Sequence, residues 1–374
     1  MRNAQAQPLR TCLHDRHLAA GAEMGAEDGW DVPVSYGDPA AECRALHERA
    51  AVMDVSPVGR IRIRGDGATD LLDHLCTADV ARQEDDTAAY TLLCNERGGI
   101  LDHAMVVRLE RFWLLTCSPH RRPAVLEHLQ AHAETFGAKV DDQTCKTAML
   151  AVVGPGAPAI LDAVLPERAS AMGRGAAKLG SMMVARYVAL RTGPTRLWSL
   201  EVMLPNLLAG QAWRFITHKA GRNALPPAGF AAREVLRIEA GLCRHGREID
   251  ETTNPATAGL TAAVCFDKDF LGAAAVRAAL AAGPTRQRVG LLLPPAAPVP
   301  AFGAAVTHAG RPIGQVTSAV YSPSFARPIA LAYVDPASAA PDGRAAIEAQ
   351  DTAPSPAEIT ELPFPPCHAN GVRS

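Results

Sequence analysis

Two stretches of this chain repeat one plan, and the repeat narrows the folds open to it. Residues 59–73 read GRIRIRGDGATDLLD and residues 147–163 read TAMLAVVGPGAPAILDA. Each is an apolar strand, then a Gly-x-Gly turn, then a helix with a Leu/Ile stripe. In the first unit, strand-like runs follow at 88–94, 100–108 and 112–117, with a turn at Asn95–Gly99 and a helix near 120–133. In the second, they follow at 182–191 and 197–204, with a helix near 206–219. Strand–helix–strand–strand–helix is the split βαβ, ferredoxin-like order, and two such units predict an α+β architecture. Near 284–300 the chain becomes proline-dense and cannot continue as a helix. The short β-like runs after it, at 302–307, 313–319 and 328–334, with one more strand in the tail, predict a small C-terminal β-barrel or sandwich.

Composition sets limits on function. The 374 residues allow two or three domains, and 48% hydrophobic with 20% charged residues is a globular balance. A net charge of −2 advertises neither nucleic acid nor an anionic membrane as partner. No run reaches the ~18 apolar residues of a membrane span, and the polar start lacks a secretory signal. Nine cysteines at irregular spacing, without C-x-x-C, argue against a disulfide framework or a zinc ribbon. With no H-E-x-x-H either, no metal site is expected, and a reducing cytoplasm is the expected location.

The densest chemistry lies in residues 231–260, AAREVLRIEAGLCRHGREIDETTNPATAGL. Arg233 and Arg237 are one helical turn apart, and a glycine turn, Asp250-Glu251 and Asn254-Pro255 follow. Charges this closely spaced among Leu236, Ile238 and Leu242 suggest the wall of a site. With Gly29-Trp30-Asp31-Val32-Pro33, Met53-Asp54-Val55-Ser56, the hairpin Tyr90–Gly99, Phe270-Leu271-Gly272 and Gly314-Gln315-Val316-Thr317-Ser318, this stretch resembles the glycine-cleavage T-protein family of tetrahydrofolate-dependent aminomethyltransferases, in order, over nearly the whole chain.

That resemblance implies a three-domain cloverleaf around a channel that holds tetrahydrofolate. Residues 1–285 would be the folate-binding region, as units of roughly 55–140 and 1–54 with 141–285, and residues 286–374 the barrel. It implies that Glu201 hydrogen-bonds the pterin, as a carboxylate accepts two parallel N–H bonds. Arg233 would hold a charged part of folate or substrate, Tyr90 would line the cleft, and Asn95 on the hairpin turn joins them as a cofactor-binding candidate. An i,i+4-type ion pair of Arg233 with Glu234 or Glu239 is the competing structural reading.

One departure changes the chemistry. The family's hairpin continues Gly-Gly-x-x-Asp-Asp with the second Asp catalytic; this chain has Gly98-Gly99-Ile100-Leu101-Asp102-His103. Alternation along a strand turns Asp102 away from the face of His103. An imidazole does not stabilise a cation as a carboxylate does, but it serves as general acid or base. His103 is therefore the catalytic candidate. Other changes fall nearby: Ser56-Pro57-Val58-Gly59, the run Gly193–Ser199 with Arg196 and Trp198, His245 in place of a tyrosine, and Cys367-His368 in place of an aromatic. The expected function is one-carbon transfer (aminomethyl, methylene or methyl) between tetrahydrofolate and a small amine or methylated donor, with a lipoyl carrier or a flavoprotein as candidate partner. The alternatives are a non-catalytic folate-binding protein of the iron–sulfur assembly type, or a folate-binding subunit of an oxidative demethylation complex.

Overall fold

The repeat folds as two five-stranded antiparallel sheets that share one strand order. The first runs Thr87–Cys94, Ile100–Leu109, Phe112–Cys117, Gly59–Arg64, Lys139–Asp142. The second runs Ala177–Met182, Ala185–Leu190, Ser199–Pro205, Thr147–Val153, Ala51–Asp54. In both, the strand that opens the repeat lies fourth. The edge strand beside it comes from after the first unit in one sheet and from before that unit in the other, so the two halves interleave along the chain. The computed structural model describes residues 7–365 except 167, 183, 184, 194, 220, 222, 223 and 349–352. Pro194 and Cys367-His368 lie outside the described residues.

The Gly-x-Gly turns are needed where they stand. The first glycine of each takes a left-handed φ, 108° at Gly65 and 130° at Gly154. A Cβ on Gly67 would sit 1.7 Å from the Phe136 carbonyl oxygen, so only glycine lets the helix start this close to the neighbouring chain. The helices Ala68–Leu75 and Arg122–Ala133 lay Leu71, Leu72, Leu75, Val125 and Leu129 on Ile61, Ile63, Val106 and Leu115 of the first sheet. On the second sheet, Ala157–Asp162 and Asn206–Arg214 bring Leu161, Ala209 and Trp213 to Leu150, Val152 and Leu200. The opposite faces of the two sheets share a core, in which Val107, Leu109 and Leu114 join Met149, Ala151, Val188 and Leu190.

The apolar run at 182–191 is not the single strand its sequence predicts. It supplies the second strand, Ala185–Leu190, of an antiparallel pair whose first strand is Ala177–Met182. No proline, asparagine or aspartate lies within 177–190, so nothing there read as a break between two strands. The helix near 206–219 ends at Arg214 and continues as a π-helix, Phe215–Lys219.

The C-terminal part is a closed six-stranded barrel, in the order Gln287–Leu292, Arg327–Val334, Arg311–Ser322, Ala305–His308, Arg344–Ile347, Ser355–Thr360. Its first strand precedes the proline cluster, and pairing of Leu291 with Ile359 closes the ring. Closure removes the exposed edges. Helix Phe230–Glu239 sits where the cores meet: Ala232 and Leu236 enter the core between the sheets, and Ile238 packs with Leu331 and Phe364 of the barrel cluster. The residue it carries between them is Arg233. No helix among the described residues is long and apolar enough to cross a membrane.

Candidate active site

Strand Ile100–Leu109 sorts its side chains by alternation. Ala104 and Val106 enter the core under the helices, and Asp102 points the same way, fully buried. Asp102 accepts hydrogen bonds from the Ser118 backbone N–H at 2.8 Å and the Ser118 hydroxyl at 2.7 Å. It holds the start of the segment leading to helix Arg122–Ala133. His103 takes the other face. Its register partner is Leu92, and the ring of Tyr90, paired with Met105, lies diagonally across at 5.9 Å between centroids.

Burial lowers the His103 pKa below the usual imidazole range. Asp102 acts against that, while Arg237, His120 and Arg233 add to it. Near neutral pH the ring is uncharged, with a nitrogen free to accept a proton.

Glu201 stands on the second sheet, opposite Ala151 and Leu190. Burial raises its pKa, and Arg233, a 3.1 Å hydrogen bond from the Thr192 hydroxyl, and Arg60 pull it back. Arg233 is thus within electrostatic reach of both Glu201 and His103. Among the described residues, no carboxylate lies within 4.0 Å of its guanidinium, and no hydrogen bond engages it. It borders a shallow cleft between the N-terminal segment and this helix, with Asp28, Met53, Asp54, Pro119 and Phe230 among its walls. His103, Tyr90 and Glu201 do not line that cleft.

The i,i+3 ion pair in this helix belongs to Arg237. It pairs with Glu234 at 2.5 Å and Glu248 at 3.1 Å, and donates to the Leu242 carbonyl and the Ser318 hydroxyl, each at 2.8 Å. Glu248 also accepts from Ser318 at 2.6 Å. Arg244 bonds Asp28 at 2.8 Å and Glu27 at 3.2 Å. Most of the 231–260 charge is therefore a brace joining helix, loop, barrel and N-terminal segment. Of Arg233, Arg237 and Arg244, only Arg233 has no ion pair among the described residues; Arg247, the fourth arginine of the stretch, lies over the Phe302 ring.

Asn95 is committed to the hairpin turn. Its carbonyl oxygen accepts from the Arg97 and Gly99 N–H groups, each at 3.0 Å, and its NH2 donates to the Glu251 carbonyl at 3.0 Å. The amide fixes the turn and the loop above it. Trp198 lies beneath the Arg191 guanidinium, 4.5 Å from it. Asp54, on the cleft wall, is fully buried and bound by His17 at 2.9 Å, Thr11 at 2.8 Å and the Ser56 N–H at 2.9 Å. Its pKa stays low because these bonds outweigh burial.

Two neighbours carried no sequence signal of their role. Thr192 positions Glu201 from nine residues away. His120 comes near both His103 and His245, its ring 5.5 Å from that of His245. One nitrogen of each, Nδ1 of His120 and Nε2 of His245, is buried without a hydrogen bond among the described residues. His103, His120 and His245 give this surface an imidazole-rich character, with Arg121 beside them paired to Glu251.

The chain is similar over nearly its whole length to known proteins. The GCVT N-terminal domain profile matches residues 13–268, and the glycine cleavage T-protein C-terminal barrel domain profile matches residues 286–365. An aminomethyltransferase of Streptomyces coelicolor is 35% identical over 361 residues, covering 95% of this chain and 97% of the relative. One of Rubrobacter xylanophilus is 34% identical, covering 95% and 94%. The crystal structure of the glycine cleavage system aminomethyltransferase T from Bartonella henselae superposes with a TM-score of 0.87 at 30% identity, covering 95% of this chain and 97% of that one.

Proposed function

Because the chain belongs to the glycine cleavage T-protein family, we propose that it transfers a one-carbon unit between a small donor and N5 of tetrahydrofolate, with His103 as the proton-exchanging group. Membership makes it a tetrahydrofolate-dependent transferase and implies a lipoyl carrier protein as working partner. The finer reading concerns the donor, a small amine or methylated compound. The observation that supports it is that Arg233, on the helix between the two sheets and unpaired among the described residues, lies within electrostatic reach of both His103 and Glu201.

Tetrahydrofolate, as substrate, supplies the nitrogen that accepts or gives up the carbon. Glu201, drawn towards its ionised form by Arg233 and oriented by Thr192, suits the donor edge of the pterin. Arg233 offers a charged fork to a carboxylate of folate or donor. Alkylating a nitrogen releases its proton, and the departing donor takes one up. His103, neutral near pH 7, moves that proton; it holds no negative charge with which to stabilise a cation. This favours a donor whose transfer is limited by proton movement.

Anaerobic calorimetric titration of tetrahydrofolate into the full-length protein tests the folate site. Wild type is expected to bind in the micromolar range. Glu201→Ala removes an acceptor of two charge-assisted bonds and is expected to weaken binding about 100-fold or more. No binding by wild type would overturn the transferase reading.

A further inference from the structure

Away from the folate site, Cys43 and His47 stand one turn apart on helix Pro39–Glu48, so they share a face. That face meets Glu239, the last residue of helix Phe230–Glu239. The Cys43 thiol, a ring nitrogen of His47 and a carboxylate oxygen of Glu239 all lie within 4.8 Å of one another. His47 Nε2 and Glu239 Oε2 are 2.8 Å apart. The other oxygen of Glu239 accepts from the Ser322 hydroxyl at 2.5 Å, and that hydroxyl in turn accepts from the Phe325 N–H at 3.1 Å. The carboxylate is thus aimed by an outer partner from the barrel, as metal-binding carboxylates are. Cys43 is fully buried, and His47 is 28% exposed, which leaves one side open.

We infer that Cys43, His47 and Glu239 form a site for a zinc-like divalent cation, with water in the fourth position on the open side of His47. The donors are one sulfur, one imidazole nitrogen and one carboxylate oxygen, the set that zinc accepts and calcium or magnesium does not. Bound charge balances: thiolate and carboxylate cancel the two positive charges of the ion, and the imidazole is neutral. The thiol proton leaves to solvent as the metal–sulfur bond forms, and the His47–Glu239 hydrogen bond gives way to metal contacts. Tetrahedral zinc sets its N, O and S ligands about 3.4–3.6 Å apart, so the 2.8 Å His47–Glu239 contact opens slightly while the thiol, within 4.8 Å of both, closes on the ion. The bound ion would clamp helix Pro39–Glu48 to the helix that carries Arg233.

The test uses full-length protein, stripped with a chelator and titrated anaerobically with Co2+, then with Zn2+ in competition. The expected result is one equivalent of cobalt with a sulfur-to-cobalt charge-transfer absorption and the intense visible bands of tetrahedral geometry. Cys43→Ser is expected to abolish the charge-transfer absorption, and His47→Gln, at the exposed edge, to weaken binding about tenfold or more. Zinc is expected to raise the Tm of wild type and to leave that of Cys43→Ser unchanged. Circular dichroism of each metal-free variant separates lost binding from lost folding, and His47→Gln remains decisive if Cys43→Ser fails to fold. Absence of the absorption in wild type, or its persistence in Cys43→Ser from exposed Cys12 or Cys145, would overturn the inference.

Discussion

Arg60 is the sharpest test of how the halves are joined. It is fully buried, yet no carboxylate lies within 4.0 Å of it among the described residues. All five of its N–H donors go to neutral acceptors. Nε reaches the Thr147 hydroxyl at 3.0 Å, Nη1 the Ser56 and Val58 carbonyls at 2.9 and 2.6 Å, and Nη2 the Thr144 and Thr147 carbonyls at 2.6 and 2.8 Å. These acceptors lie in the turn before the first repeat strand and the segment entering the second. Arg60→Met keeps most of the volume and leaves four carbonyls without their donor. At about 1–2 kcal/mol for each unsatisfied acceptor, the loss is about 4–8 kcal/mol. Removing the buried charge offsets part of it. Burial pushes the Arg60 pKa down to about 10, against Asp54 and Asp142, which places the cost of the charge at about 3 kcal/mol. The expected net destabilisation is about 3 kcal/mol, within a range of about 1–5. Equilibrium urea unfolding followed by tryptophan fluorescence measures it, with Arg60→Lys as a comparator that restores charge but not the fork. A Met variant as stable as wild type would show that the five bonds contribute nothing beyond the cost of burying the charge, and the reasoning would fail.

Other expectations follow from the same geometry. His103 has a lowered pKa, so the acid limb of kcat/KM for folate-dependent transfer should fall below the usual imidazole range and disappear in His103→Gln; an unchanged profile would remove His103 from proton exchange. Burial, then His132 and His74, lowers the His128 pKa to about 4, while the unfolded chain titrates near ~6.5. A histidine depressed in this way leaves the fold at full stability above about pH 6.5 and costs stability as pH falls from there towards about 4, by about 1–2 kcal/mol after discounting for solvent. His128→Gln should flatten that part of the stability–pH curve. Gly99→Ala would put a Cβ 1.8 Å from the Glu251 carbonyl oxygen, so the variant should lose several kcal/mol of stability (about 2 or more) and weaken folate binding; a Tm within error of wild type would contradict the close packing of hairpin on loop.

Much of the fold was legible because local patterns carry it. The two Gly-x-Gly turns reported themselves, since a left-handed φ and a contact that no Cβ fits are properties of single residues. Period-two alternation placed Asp102 and His103 on opposite faces, and the structure keeps them there. The pairing of Ala177–Met182 with Ala185–Leu190 had no proline or asparagine to mark where one strand ends and could not be read. The Arg233 ion pair suggested by helical spacing went to Arg237, because spacing gives neighbours on a helix but not the partners that the loop and barrel add.

The sequence by itself determined the repeat, the barrel boundary, the family resemblance and the candidates His103, Glu201 and Arg233, since each rests on residues close together along the chain. Tertiary structure alone decided that Arg233 comes within electrostatic reach of both His103 and Glu201, that Thr192 bonds Glu201 and His120 nears His103, and that Cys43 and His47 meet Glu239 some 190 residues away. Those outcomes depend on how the two sheets, the helix between them and the barrel pack, and packing is a property of contacts between distant segments that no local pattern encodes.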